Sequence, residues 1–314
     1  MVWDINKYRY TTEKKRKSHP LAFILILLVV VIIVLGWIFR LDKKIAAIKR
    51  SSGKENTLIN LWNDQLYDKV IEKSDSILKT NPMNTRALVF RGFAYFYKAI
   101  PELSLEKKIP LLLNSITSLR RAKLMKPDNI EGEVDYILGK AYFLRGRYYY
   151  DLAIKYILLS NREGFKSSDS YEYLGLAYTQ LGDLKKANEY FNLTLKSRTG
   201  DILLLAIAKN YFQLNNFSKA VEYLNRAINS TKDHVIEEKC RFLLAEIYTK
   251  QKLFGKAEKE YNRILRLNPK SADAHYYLGE IYRILNEPVK ARAEWRETLR
   301  INPSHYAAKL RYYK

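Results

Sequence analysis

The sequence predicts an all-α protein, a solenoid of about six or seven helical hairpins preceded by a single transmembrane helix, and three observations predict it. A Leu-Gly pair, a Tyr three residues on and an Ala nine further recur about every 34 residues; prolines and glycines punctuate the intervals; and residues 21–39 form an uninterrupted apolar run. A repeat of this length marks stacked hairpins, each too small to bury its apolar face alone. In the last unit the pattern is Leu278, Gly279, Tyr282 and Ala291, followed by Trp295 and Pro303. The Tyr position is filled earlier by Tyr248, Tyr211, Tyr178 and Tyr142, at intervals of 34, 37, 33 and 36 residues, and the Ala position by Ala257, Ala220 and Ala187.

The spacing has a mechanical reading. Gly139, Gly175, Ala208, Ala245 and Gly279, with Ala187, Ala220, Ala257 and Ala291, mark places where two antiparallel helices cross closely, since a larger side chain would force them apart. Tyr178 with Phe191, Tyr248 with Tyr261 and Tyr282 with Trp295 then supply bulk for the seams. Pro82, Pro127, Pro269 and Pro303 close units because proline cannot continue a helix, and Gly146 and Gly182 mark turns within them.

The pattern resembles the tetratricopeptide repeat (TPR) family over residues 51–305. It is strongest in four units, 168–200, 201–234, 238–271 and 272–305, followed by a short cap at 306–314. Upstream it loosens. The unit at 132–167 keeps Leu138, Gly139, Tyr142 and Gly146, but its Ala153 falls two residues late, which lengthens the turn around Tyr148 to Tyr150. The unit at 85–129 keeps Gly92, Tyr95, Ala122 and Pro127 but carries about eleven extra residues near Lys98 to Lys108. The first, at 51–84, matches only through its second helix and has Leu58 at the small-residue position. The resemblance implies a right-handed solenoid over 57–314.

Residues 21–39 hold nineteen residues without a charge, nearly all Leu, Ile and Val. At ~1.5 Å per residue the run matches the hydrocarbon thickness of a bilayer, and no small-residue cleavage site ends it, so it predicts an uncleaved anchor between a basic tail (1–20) and a basic linker (40–56). Lys7, Arg9 and Lys14 to Lys17 precede it and Arg40, Lys43, Lys44, Lys49, Arg50 and Lys54 follow, so the basic residues balance. The density of Lys14–Lys17 and the size of the downstream domain favour a cytoplasmic N-terminus, with the repeats across the membrane in a bacterial periplasm. Lys14–Lys17 and Arg40–Lys44 are candidate contacts for anionic lipid.

The formal net charge is +22, of which the first fifty residues carry +8; the remainder is spread along the repeats at positions such as Lys185, Lys186, Lys256 and Lys259. A dispersed excess argues against nucleic acid as a partner. The single cysteine, Cys240, excludes an internal disulfide and a cysteine-based zinc site. His19, His234, His275 and His305 are scattered, and no phosphate-cradling glycine motif is present, so neither an enzyme nor a cofactor is expected.

The resemblance further implies that the first helix of each hairpin lines a concave groove for a protein or peptide ligand. The candidate groove residues are Arg86, Phe93, Phe96 and Tyr97; Tyr136, Lys140 and Phe143; Lys209 and Phe212; Phe242 and Glu246; and Tyr276 and Arg283. The half near the anchor is aromatic and the other half mixed and charged. Phe93, Phe96 and Phe143 either hold an apolar segment or are covered by the Lys98–Lys108 insertion. No Asn stands at the ninth position of any unit, so the carboxylate clamp of chaperone-binding members is not supported. The layout is similar to inner-membrane TPR proteins that assemble envelope machines, flagellar ones among them, and predicts a membrane-anchored scaffold. The alternative is a cytoplasm-facing adaptor or chaperone-like factor for an enzyme; regulators of that kind carry a cysteine-rich metal ribbon, and this sequence has one cysteine.

Overall fold

The computed structural model describes residues 56–127 and 129–313. The anchor at 21–39 and the basic segments Lys14–Lys17 and Arg40–Lys44 lie outside the described residues. Among the described residues no helix is long and apolar enough to cross a membrane. The helices pair as seven hairpins: α1 (Asn56–Asn63) with α2 (Tyr67–Thr80), α3 (Thr85–Ala99) with α4 (Leu105–Leu124), α5 (Glu131–Arg145) with α6 (Tyr150–Arg162), α7 (Ser170–Leu181) with α8 (Leu184–Leu195), α9 (Asp201–Gln213) with α10 (Phe217–Ser230), α11 (His234–Lys250) with α12 (Phe254–Leu267), and α13 (Ala272–Ile284) with α14 (Pro288–Ile301). A short α15 (Tyr306–Tyr312) lies on α14. From α3 to α14 each helix packs chiefly on its hairpin partner, and each second helix packs next on the first helix of the following hairpin; α2 packs more on α3 than on the short α1. First helices also meet one another, α1 with α3, α3 with α5, α5 with α7 and α9 with α11, and so share one face.

Four apolar clusters follow one another along the chain in place of a single central core, as expected where each unit touches only its neighbours. The small residues do what their spacing implies. A Cβ on Gly139 would stand 2.5 Å from Ile157 Cγ1 and 3.1 Å from the Ala153 carbonyl; one on Gly279 would stand 2.6 Å from Trp295 Nε1 and 3.1 Å from the Ala291 carbonyl. Backbone therefore meets backbone at the crossing, and the recurrent Ala is the residue whose carbonyl approaches. Gly92 plays the same part against Leu119 of α4.

The recurrent Tyr has a fuller explanation than seam filling. Lys186, Lys219, Lys256 and Lys290, each at the start of a second helix, place their ammonium groups 5.3, 5.1, 5.6 and 5.2 Å from the ring centres of Tyr178, Tyr211, Tyr248 and Tyr282. Each pair ties the two helices of one hairpin by cation–π attraction at the surface. Tyr178 packs on the cluster that holds Phe191, but its ring stacks on Tyr190, with centroids 5.4 Å apart. Tyr211 stacks likewise on Tyr223.

The turn inside a hairpin needs a left-handed residue, which Gly182 supplies at φ +83°. Gln65, Asn215, Lys252 and Asn286 hold comparable positive φ in the other hairpins. Asn tolerates that region and Lys does not, so Lys252 (φ +60°) is strained by roughly 1 kcal/mol. Lys252→Gly is expected to raise the midpoint of urea denaturation; an unchanged or lower midpoint would show that the Lys252 side chain makes compensating contacts.

Two irregularities read from the sequence take definite form. The extra residues near Lys98–Lys108 form the α3–α4 turn and the first turn of a twenty-residue α4. The late Ala153 corresponds to a 3-10 turn, Arg147–Tyr149, inserted before α6. The first hairpin does have a first helix, α1, which is short and buries Leu58, Ile59 and Trp62.

Candidate functional site

The first-helix face divides into three parts, of which only the middle one is open. Next to α1 the expected aromatic surface is closed, because Phe93, Phe96 and Tyr136 are 2%, 1% and 1% exposed and so offer a ligand nothing. Over Phe93 the cover is α1: Trp62 packs against Phe90, Phe93 and Tyr97 with centroids 5.9, 6.0 and 5.5 Å away, Tyr67 of α2 stacks on Tyr97, Phe96 lies edge-on to Tyr97, and Tyr136 packs on Phe165. Burial and the neighbouring Tyr67 push the Tyr97 phenol well up, so it stays neutral. Arg86 is half-buried at the same end. Phe143 is half-buried between Tyr150 of α6 and Tyr173 of α7.

The next groove positions bind one another. Asp169, before α7, accepts hydrogen bonds from Tyr136, from Ser167 at 2.5 Å and from Lys140 at 3.1 Å. Lys140 sits between the rings of Tyr136 and Tyr173, 5.1 and 4.6 Å from their centroids. Burial pushes the Asp169 carboxyl up, but Lys140 and the hydrogen bonds from Ser167 and Tyr136 outweigh it and hold it below the ordinary carboxylate value. Behind this lies a second polar cluster, in which Lys123 of α4 bridges the fully buried Asp135 of α5 and stands 3.8 Å from Glu163. Burial raises both carboxyls, Glu163 also because Asp135 is beside it.

At the far end α15 fills the face. His305 Nε2 is 3.3 Å from Asp273, its ring lies 4.8 Å from Tyr276, and Arg311 donates to Glu280 at 2.9 Å. Arg283 is exposed and shares Glu280, 3.2 Å away. Burial raises the Tyr276 phenol.

The middle is formed by α9 and α11. Along α11, Lys239, Phe242, Glu246 and Lys250 fall three, four and four residues apart and therefore on one side. From α9 come Ile202, 68% exposed, with Lys209 and Phe212. Lys250 lies 5.5 Å from the centre of Phe212 and 4.0 Å from Glu246, whose carboxyl is raised by burial against that lysine's pull. Lys209 and Lys239 reach solvent and have no carboxylate within ion-pair distance among the described residues. Desolvation and the charge of Lys239 hold the Lys209 amine below its ordinary value. Two exposed lysines without counterions among the described residues, flanked by half-buried Phe212 and Phe242, leave a positive patch with apolar sides. Cys240 is fully buried behind it, its thiol raised by burial to about 11. No group of three or more His, Cys, Asp or Glu among the described residues could hold a metal ion.

Of the thirteen candidate residues, the structure brings Lys209, Phe212, Phe242 and Glu246 together on open surface. Tyr136, Lys140, Tyr276 and Arg283 belong to closed or capped parts. Asp169 and His305 fill parts of the groove that the spacing left open. Their signal was their interval, one repeat after Tyr136 and Asp273, which placed them beside those residues across the hairpin boundary.

A row of hairpins whose first helices share one face defines an α-solenoid. Tetratricopeptide repeat models match residues 168–198, 203–234 and 242–306, so these segments are similar to tetratricopeptide repeats. Superkiller protein 3 of Schizosaccharomyces pombe is 25% identical over 236 residues, which is 72% of this chain and 16% of that protein; the chain thus spans about a sixth of that relative's length. The C-terminal part of a TPR repeat-containing protein from Cytophaga hutchinsonii superposes with a TM-score of 0.64 at 16% identity, covering 82% of this chain and 98% of that one, and shows the fold. YrrB, a TPR protein with an unusual peptide-binding site, aligns over 60% of this chain and 95% of its own at 17% identity and a TM-score of 0.49. The matched repeats begin at Ser168, downstream of both irregular hairpins.

Proposed function

We propose that this chain is a membrane-tethered scaffold that takes an acidic segment of a partner protein on the open face between α9 and α11. The observation that carries the reading is the pair Lys209 and Lys239, without counterions and flanked by Phe212 and Phe242. A carboxylate-bearing peptide would neutralise both amines and place apolar side chains on the two rings, which bury area at low entropic cost. Tethering rests on the apolar run 21–39. The repeats then lie across a bacterial inner membrane from a cytoplasmic N-terminus, and the chain acts by concentrating its partner at an envelope complex, a flagellar one included.

A photoreactive residue at Ile202 in cells identifies the bound segment by mass spectrometry. Lys209→Glu with Lys239→Glu is expected to reduce that adduct by at least about tenfold, because reversed charges repel the partner they formerly attracted. An undiminished adduct, or a crosslinked segment without acidic residues, would remove the reading. A reporter fused after Lys314 that is active only on export checks the topology. Activity of a cytoplasm-only reporter there would favour the adaptor on the opposite side.

A further inference from the structure

We infer that the two irregular turns, after α3 and after α5, rest on the surface of the lipid bilayer and hold the solenoid against it. This rests on the tether proposed above. Helices α3 and α5 each precede an antiparallel partner, touch one another and run in the same direction, so the turns that follow them share one edge of the molecule. On that edge the α3–α4 turn exposes Ile100 (45%), Leu103 (92%) and Leu105 (68%), and the 3-10 turn before α6 exposes Tyr148 (87%). Later hairpins turn within two or three residues, as at Gly182–Asp183; they expose single apolar side chains beside the turn, such as Leu181 (43%) and Val289 (83%), but no loop projects there.

The chemistry fits a bilayer. Three aliphatic side chains and a tyrosine are what the boundary between headgroups and acyl chains accepts, with the phenol at the polar level. Segments 98–108 and 145–155 hold six basic residues (Lys98, Lys107, Lys108, Arg145, Arg147 and Lys155) against three acidic ones, the sign that anionic lipid attracts. Lys98 is already paired with Asp68, and Arg145 stacks over Tyr149, which leaves Lys107 and Arg147 nearest the projecting side chains. The length of chain outside the described residues also favours it. Sixteen residues, 40–55, separate the apolar run from α1, a reach of at most about 55 Å, and the two turns belong to the second and third hairpins from that end. A bilayer surface at that distance is always available to them.

The test uses the full chain in vesicles of phosphatidylglycerol and phosphatidylethanolamine that carry acyl-chain nitroxide, with an environment-sensitive dye at Leu103→Cys, Tyr148→Cys or, as a control, Val289→Cys. Val289 is 83% exposed on the last hairpin, and Cys240 is buried, so the dye reports the introduced site. The expected result is a blue shift with quenching at 103 and 148 at least about threefold stronger than at 289. If 103 and 148 match 289 while carbonate fails to extract the chain, the contact is wrong and the tether stands. If carbonate extracts the chain, the tether fails, and the contact survives only if vesicles added from outside still quench 103; absent that, both are overturned.

Discussion

Gly139→Ala should destabilise the protein by about 1–3 kcal/mol and Gly139→Val by more, although alanine is intrinsically the better helix former by about 1 kcal/mol. The added Cβ would lie 2.5 Å from Ile157 Cγ1, 3.0 Å from the Ile157 nitrogen and 3.1 Å from the Ala153 carbonyl. A side-chain tip can swing aside, but the two backbone atoms move only if α6 moves, and α6 also carries the fully buried Ala153 and Ile157. Overpacking therefore outweighs propensity. Gly255→Ala is the control: nothing lies within 4 Å of its Cβ, so only the propensity gain remains and stability should rise slightly. Urea denaturation followed by circular dichroism measures both, and equal midpoints for wild type and Gly139→Ala would show that the crossing has slack.

Asp169→Ala should cost about 3 kcal/mol at pH 7. It leaves Lys140 without its carboxylate between two tyrosine rings and removes the acceptor of Tyr136 and Ser167. The sign of the pH dependence follows from the lowered Asp169 carboxyl. A depressed folded value contributes stability fully above the unfolded value, about 3.9, and loses it as pH falls through the folded one. The gap between wild type and Asp169→Asn should thus be constant from pH 7 to 5 and close below about pH 4. A gap that persists to pH 2 would mean that shape, and not charge, sets the cost.

Much of the fold was legible because the repeat encodes contacts made within one hairpin. Gly279 above Trp295 and Tyr282 beneath Lys290 are pairs sixteen and eight residues apart, and each pairing recurs at a fixed interval. The candidate site was legible only in its middle. A position number on a first helix says which way a side chain faces, and it says nothing about what another unit lays over it. Phe93 and Phe96 fall at first-helix positions that the repeat turns toward the groove, yet both are buried, Phe93 against Trp62 of α1 and Phe96 edge-on to Tyr97. Lys140, a candidate groove residue, is held by Asp169, and Glu280 by Arg311, each partner about one repeat later.

The sequence by itself determined the hairpin period, the close crossings at the small residues, the breaks in register near Lys98 and Tyr148, and the apolar run at 21–39. These follow from local spacing, since a helix places residues three, four and seven apart on one side wherever it lies. Only the tertiary structure decided which part of the first-helix face stays open, and which irregular turns share an edge. Both depend on contacts between units, where burial and counterions are supplied by residues about thirty positions away. The repeat fixes the shape of each unit, and its neighbours fix what that unit can touch.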